Sequence, residues 1–245
     1  MILALAACAL AAPLGEPQPG VEDPPWTFDA FVYYWSAGVS GNLTVDGREI
    51  DLEGGGDGFS GETALSGFIG HIEAHRGPWS FALAPIFVNV DATGTESGGL
   101  DAAVSIHAQV HEAFVAHDLG TSWNCFAGAR YYDLDTSVDL SAGGVPAGSL
   151  GNDHTWVDPI VGLRYHGDLG ESVSFRARAD VGGFGVGSDL AWNANALLGY
   201  SFGSCCAAQL GYRILSVRFG SGSGGDRLGY DLTMAGPIIG LSFAF

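Results

Sequence analysis

The sequence predicts an all-β protein, namely a closed antiparallel up-and-down transmembrane β-barrel of ten strands, with eight strands as the alternative. Three observations predict this fold. Apolar and polar side chains alternate along many segments, the connections alternate between short and long, and the polar positions carry arginines. Period-two alternation is typical of a strand that has one apolar and one polar face. The length of 245 residues suits a single all-β domain.

The clearest alternation lies in 172–182, where the odd positions are apolar and the even positions are mostly polar or charged. Connections of a few residues follow the second, fourth, sixth and eighth predicted strands. Longer connections rich in Gly and Asp, notably 46–61 and 136–154, lie on the other side, as in a transmembrane barrel. The count falls to eight if 46–61 and one hairpin are an excursion from the wall. The ten predicted strands are 27–45, 62–76, 79–91, 102–117, 122–135, 155–166, 172–186, 190–202, 206–219 and 228–245.

The charged positions of these strands predict which face points inward. A membrane barrel turns its apolar face to lipid and its polar face to the lumen, whereas a soluble barrel does the reverse. The apolar faces here are rich in Ala and would fill a lumen poorly. We therefore expect a polar lumen cross-linked by ion pairs, either closed or forming a narrow charged path that 46–61 could constrict. The predicted lumen network comprises Glu73, Arg130, Asp158, Arg164, Arg176, Arg178, Asp180 and Arg213.

The fourth predicted strand contains an acidic residue in an apolar register. Glu112 shares its face with the apolar positions of 104–110, which are expected to contact lipid. A β-bulge near His111 would turn the carboxylate inward. Without a bulge, a lipid-facing Glu would lower stability, and less so near an interface.

Five polar side chains are predicted to face the lumen. They are His71, Glu73 and His75 on the second strand and His107 and His111 on the fourth. A zinc ion needs ligands at about 2.1 Å. Residues four apart on a strand are separated by roughly 13 Å, so His71 and His75 cannot share one ion. A metal site between strands across the barrel is geometrically allowed, but ordinary lumen polarity is the better interpretation, so no metal centre and no cofactor are expected.

Aromatic residues near the strand ends predict two interfacial belts. Trp79, Trp123 and Phe202 lie beside short connections, and Trp156 and Trp192 begin strands on the other side. Such rings prefer the level of lipid headgroups. Trp156 falls one residue out of register with the apolar face of its strand.

The N-terminal residues predict export. Residues 1–14 are uncharged and apolar, too few to span a bilayer but suited to the apolar region of a signal peptide. The missing basic region predicts that the signal peptide begins upstream of Met1. Cleavage after Ala11 or lipidation at Cys8 are the two processing alternatives. Residues 15–25 form a Pro-rich leader, and 26–245 form the barrel.

The C-terminal strand has alternating apolar residues and ends in Phe245. With the export signal, it resembles the small single-domain barrels of the Gram-negative outer membrane. That resemblance implies outer-membrane localisation, contact with membrane lipid and recognition of the last strand by the barrel-insertion machinery. The implied insertion signal is Leu241, Phe243 and Phe245.

Charge excludes several function classes. All nine basic residues are Arg, against 27 acidic residues, and the net charge is −18. A nucleic-acid partner or a polybasic membrane-surface role would need a basic face. The four cysteines are too few for a disulfide scaffold and lack zinc-site spacing.

Acidic residues concentrate on the predicted long loops. They predict an acidic rim that could capture divalent cations or repel anionic partners. Two alternatives to a structural or pore-forming barrel follow: a surface-exposed binding or adhesion protein that acts through these loops, and a soluble exported ligand-binding barrel. The predicted rim comprises Asp46, Asp51, Glu53, Asp57, Asp133, Asp135, Asp139 and Asp153.

An enzyme is not expected. The omptin proteases, which are ten-stranded barrels, place an Asp-x-Asp pair and an Asp-x-His pair at the external rim. Asp133 and Asp135 match the first pair, but Asp153 and His154 are adjacent, without the one-residue gap of the second. Adjacent side chains on a strand face opposite sides, so they could not act together.

Overall fold

The computed structural model describes residues 24–54, 65–203 and 205–245. The predicted signal peptide, Cys8, most of the leader and Asp57 lie outside the described residues. No helix in the described part is long and apolar enough to cross a membrane. The elements are β1 (Thr27–Val45), β2 (Arg48–Gly54), β3 (Leu65–Arg76), β4 (Trp79–Glu96), β5 (Asp101–Asp118), β6 (Trp123–Ala142), β7 (Val145–Asp168), β8 (Val173–Gly182), β9 (Leu190–Ser201), β10 (Cys206–Ser221), a 3-10 turn (Gly224–Asp226) and β11 (Leu228–Ala244).

The strands form a closed antiparallel barrel. Consecutive strands pair with each other except β2 and β3, each of which pairs with β1 and β4, and β11 pairs with β1 along most of its length, which closes the sheet. β2 pairs with 39–45 of β1, and β3 pairs with 27–37 of the same strand. β2 and β3 therefore occupy one position in the wall, and the barrel has ten strands. The predicted fold class and strand number are confirmed.

One predicted long loop is partly strand. Asp46 and Gly47 have positive φ angles of 50° and 72° and form a two-residue hairpin turn between β1 and β2. Such a turn matches the natural twist of two antiparallel strands. Residues 48–54 thus extend the wall, and the prediction that 46–61 is all loop is wrong for this part.

The predicted loop 136–154 is also strand. β6 and β7 continue to a tight turn at Gly143 and Gly144, both with positive φ. The alternation of buried and exposed residues persists through this Asp-rich segment, so burial of every second residue outweighs the low strand propensity of Asp and Gly. The hairpin lengthens the wall at this end of the barrel.

The barrel has two halves with opposite patterns. We call the end bearing the connections 77–78, 119–122, 169–172 and 202–205 the lower end. In the lower half, outward residues are apolar, as at Leu83, which is 62% exposed. In the upper half, outward residues are polar and the inward ones form an apolar core.

Strand β4 shows the change of pattern within one element. Its outward residues are Phe81, Leu83 and Phe87 in the lower half and Asn89 and Asp91 in the upper half. Its inward residues change from small or polar to Val and Ile along the same path. The outer surface of the wall is therefore apolar below and polar above.

Three predictions about individual faces are wrong. The apolar residues Val104, Ile106, Ala108 and Val110 point inward, and Glu112 points inward with them in an unbroken register, so no bulge is involved. His107 and His111 lie on the outer face, where the His111 ring packs between Phe87 and Tyr131. The upper core is itself apolar, so apolar character alone does not identify the lipid-facing side.

The aromatic belts are partly as expected. Trp123, Trp192 and Phe202 are exposed on the outer surface near strand ends. Trp156 does not belong to a belt: it points inward and is 8% exposed. Its offset from the apolar register of β7 reflects this inward position.

Candidate functional site in the lumen

An ion-pair network crosses the lumen in the lower half, below the apolar core. Arg130 on β6 is fully buried, and its Nε donates to Glu112 Oε1 at 2.8 Å. Its Nη2 donates to Asp180 Oδ1 at 2.7 Å. Arg178 lies within 2.8 Å of the second Glu112 oxygen and donates through Nε to Asp180 Oδ2 at 2.9 Å. The two carboxylates thus bridge two arginines from different strands.

A third arginine extends this network. Arg213 on β10 donates through Nε to Asn193 Oδ1 at 2.9 Å, and Asn193 donates to Asp180 Oδ2 at 2.9 Å. Arg213 also lies 3.9 Å from Glu112. Glu112 therefore faces three arginines, a role that could not be assigned from the sequence, because the register of 104–110 placed this residue on the lipid side unless a β-bulge turned it inward.

Asp158 has a different role from the predicted one. It is fully buried but forms no ion pair with any described residue. Its Oδ1 accepts the backbone N–H of Ser188 at 2.7 Å. The Ser188 hydroxyl oxygen in turn accepts a hydrogen bond from Trp156 Nε1 at 2.9 Å. Asp158 thus anchors the connection between β8 and β9 inside the upper lumen.

A second ion pair lies nearer the lower end. Arg164 on β7 donates to both oxygens of Glu73 on β3, each at 2.7 Å. A bidentate pair of this kind fixes both side chains. His71 Nε2 lies 3.0 Å from Glu73, and His75 Nε2 lies 3.1 Å from Asp29. The three predicted lumen residues of β3 all face the lumen.

Arg176, the remaining member of the predicted network, lies apart from these pairs. Its guanidinium carbon is 4.9 Å from the centre of the Phe31 ring. No carboxylate of the described residues lies within ion-pairing distance, and its Nε is buried without a hydrogen-bond acceptor.

The upper lumen is filled by side chains. Trp156 stacks between Tyr132 and Phe219, with ring centres 4.6 and 4.3 Å apart. Trp35 is completely buried beneath this stack, and the void among these side chains measures only about 50 Å³. Tyr230 closes one side, with its hydroxyl 2.9 Å from that of Thr136. Burial raises the pKa of Tyr230, so the hydroxyl stays neutral.

Below the ion-pair network the lumen is open. A cavity of about 400 Å³ extends from Arg213 and Arg178 at its roof to the connection 119–122 at the lower end. Its walls include Phe31 and Tyr33. The lumen is therefore a pocket closed above and open below.

Most of the described residues of the predicted acidic rim lie on strands rather than loops. Asp133, Asp135, Asp139 and Asp153 sit on the outer face of β6 and β7, in the upper half. Asp135 is directly opposite Asp153 in the ladder. Asp46 lies in the first hairpin turn and Asp51 on β2, both exposed, while the Glu53 side chain is outside the described atoms. No group of three or more acidic, His or Cys side chains in the described part is placed to hold a metal ion.

The omptin-like residues do not face one another. Asp133 and Asp135 belong to the outward register of β6. His154 belongs to the inward register of β7, where its ring centre is 4.9 Å from that of Phe219. These residues therefore do not form a paired site across the barrel mouth.

The predicted C-terminal signal lies at the lower edge of the wall. Leu241 and Phe243 face outward on β11, and Phe245 is largely exposed. The backbone of Phe245 exchanges two hydrogen bonds with Phe28. The last strand therefore forms the closing seam of the barrel with β1.

Comparison with known proteins supports the fold and does not define a family. No protein-family model matches the chain, and no curated protein matches it by sequence. The translocator domain of the autotransporter NalP from Neisseria meningitidis is 12% identical, with 88% of each chain covered and a TM-score of 0.42. The outer membrane protease OmpT from Escherichia coli is 10% identical, covers 93% of this chain and 99% of its own, and has a TM-score of 0.57. The chain thus shares the barrel fold of OmpT.

Proposed function

We propose that this chain is an integral outer-membrane β-barrel with a sealed lumen, which acts as a structural or surface-presenting element rather than as a pore. The side chains that fill the lumen at two levels are the observation that supports this proposal. The Arg130–Glu112–Asp180 ion pairs block the lower half, and the packed rings around Trp156 block the upper half. A conducting barrel needs a continuous aqueous path.

The outer surface supports the membrane placement. On β4 the outward apolar run covers 79–87, and a tilted strand needs about 9–11 residues to cross the hydrocarbon layer. The polar wall above this band suits water, and the short connections below suit the periplasmic side. A soluble exported barrel would leave Leu83 and Phe87 in water, in a band of many exposed apolar side chains.

Conductance tests the seal. The refolded protein, verified by its faster migration before boiling, is expected to give no reproducible steps in a planar bilayer. The physical reason is that fully buried ion pairs and rings leave no hydrated path. Regular open steps whose size changes in Arg178→Gln would contradict the proposal and establish a narrow charged pore.

The acidic outer wall favours a second candidate function, cation-mediated contact with anionic partners or lipid phosphates. Asp135 and Asp153 face each other directly in the ladder, where like charges are unfavourable. Divalent cations near this wall would relieve that repulsion.

Insertion by the outer-membrane assembly machinery through Leu241, Phe243 and Phe245 stays a prediction.

Asp135→Asn tests the charge of this wall. In chelator-treated buffer, we expect the variant to be more stable to urea than the wild type by about 0.2–1 kcal/mol, because one carboxylate of a facing pair is removed. Magnesium should stabilise the wild type more than the variant. The matched control is Asp226→Asn, in the exposed 3-10 turn. Equal magnesium effects on wild type and Asp135→Asn would argue against cation capture here.

A further inference from the structure

We infer that the cavity at the lower end of the lumen is a binding site for a small oxyanion, such as a phosphate or carboxylate group, centred on Arg176. This inference goes beyond the sealed barrel, because a closed lumen needs no pocket. The cavity of about 400 Å³ lies within the usual range for ligand pockets, roughly 300–1,000 Å³. It opens only at the lower end, since the ion-pair network forms its roof.

The charges that line the cavity single out Arg176. The acidic side chains of the walls are occupied by partners within the protein. Glu73 is held by Arg164 and His71, and Asp29 is held by His75. Glu112 in the roof is held by arginines of the network. Asp118 stands at the mouth, beside the connection to β6, and is exposed to solvent.

The other lining arginines have partners too. Arg164 and Arg178 each contact a carboxylate at 2.7–2.8 Å, and Arg213 donates to Asn193. Arg176 alone among the four lining arginines has no ion pair within the described residues. Its charge is therefore the one that the cavity leaves available.

The environment of Arg176 presents its guanidinium to a ligand. The Phe31 ring covers one face at 4.9 Å, a cation–π contact that holds the planar group in place. The buried Nε has no acceptor. An unpaired buried donor is costly, so an oxygen that accepts from Nε and a neighbouring Nη would be bound with geometric selectivity. His166, directly opposite Arg176 in the ladder, also lines the cavity and supplies a second donor.

Titration calorimetry with inorganic phosphate, and separately with acetate, tests this site. The full refolded chain is held in a phosphate-free non-ionic detergent at constant ionic strength, so that no lipid headgroup competes. We expect saturable binding of at least one of the two anions. Arg176→Gln should weaken that binding by about tenfold or more, the effect of losing one charge-assisted hydrogen-bond partner.

Two further variants keep the result interpretable. Arg218→Gln removes an exposed outer-wall arginine, paired with Asp231, and should leave binding unchanged. Arg176→Lys keeps the charge without the planar fork and should bind more weakly than wild type but more tightly than Arg176→Gln. Absence of saturable binding of both anions to the folded wild type would overturn the inference. Equal binding by wild type and a folded Arg176→Gln variant would also overturn it.

Discussion

Glu112→Gln is expected to destabilise the barrel by about 3–5 kcal/mol, the usual cost of leaving a buried charge without its partner. Glu112 is only 3% exposed and faces Arg130 and Arg178 at 2.8 Å, with Arg213 at 3.9 Å. Removing its charge leaves three buried arginines with Asp180 as the single carboxylate of the network. Glutamine keeps the shape of the side chain, so the loss reports the charge rather than a cavity.

The measurement is the urea concentration at which half of the refolded protein is unfolded. Unfolding is monitored by the difference in gel mobility between unboiled and boiled samples. Glu49→Gln is the matched control, because Glu49 is exposed on the outer face of β2. If Glu112→Gln does not fold at all, the double variant Glu112→Gln/Arg178→Gln should recover part of the stability, since it removes one of the stranded charges. Equal midpoints for Glu112→Gln and wild type would show that the network does not stabilise the barrel.

The strand number and the lower lumen could be predicted from the sequence. Both depend on local signals: period-two alternation and turn residues locate the strands, and charges on the less apolar face mark the lumen in the lower half. Arg130, Arg164 and Arg178 were assigned to the lumen in this way, and the structure places them there. The pairs Arg164–Glu73 and Arg130–Asp180 could not be assigned, because they join strands far apart in sequence. The Arg130–Glu112 pair lies on neighbouring strands, and the lipid-side register expected for Glu112 hid it.

The upper half could not be predicted by the same rule. Alternation divides a strand into two faces but does not say which face is inside, and the apolar face changes from the outer to the inner side between the lower and the upper half. Two residues of the sequence indicated that the apolar face changes side. Glu112 lay in the same register as 104–110, and Trp156 lay out of register with the apolar positions of β7. Both residues are inward, and both mark strands whose upper apolar or aromatic side chains fill the lumen.

Val138→Asp and Asp139→Val, one residue apart on β6, test this change of pattern. Val138 is completely buried in the upper core, so a carboxylate there is unpaired and should abolish folding or cost several kcal/mol. Asp139 is exposed on the outer face, so valine there should change stability by no more than about 0.5 kcal/mol. Urea midpoints of both refolded variants provide the measurement.

Arginine substitutions at a lower and an upper outward position of β4 test the outer face in the same way. Leu83→Arg puts a charge into the apolar band and should cost about 2–4 kcal/mol if Leu83 lies near the bilayer midplane. Asp91 lies eight residues further along β4 and also points outward. Asp91→Arg should leave the stability nearly unchanged, because that part of the wall is expected to contact water. A barrel with the membrane pattern along its whole length would tolerate neither arginine and would tolerate Val138→Asp better than Asp139→Val, whereas a wholly soluble barrel would tolerate both arginines. A costly Leu83→Arg, a neutral Asp91→Arg and a Val138→Asp that is worse than Asp139→Val occur together only if the lower half is solvated by lipid and the upper half is a water-facing barrel with a dry core.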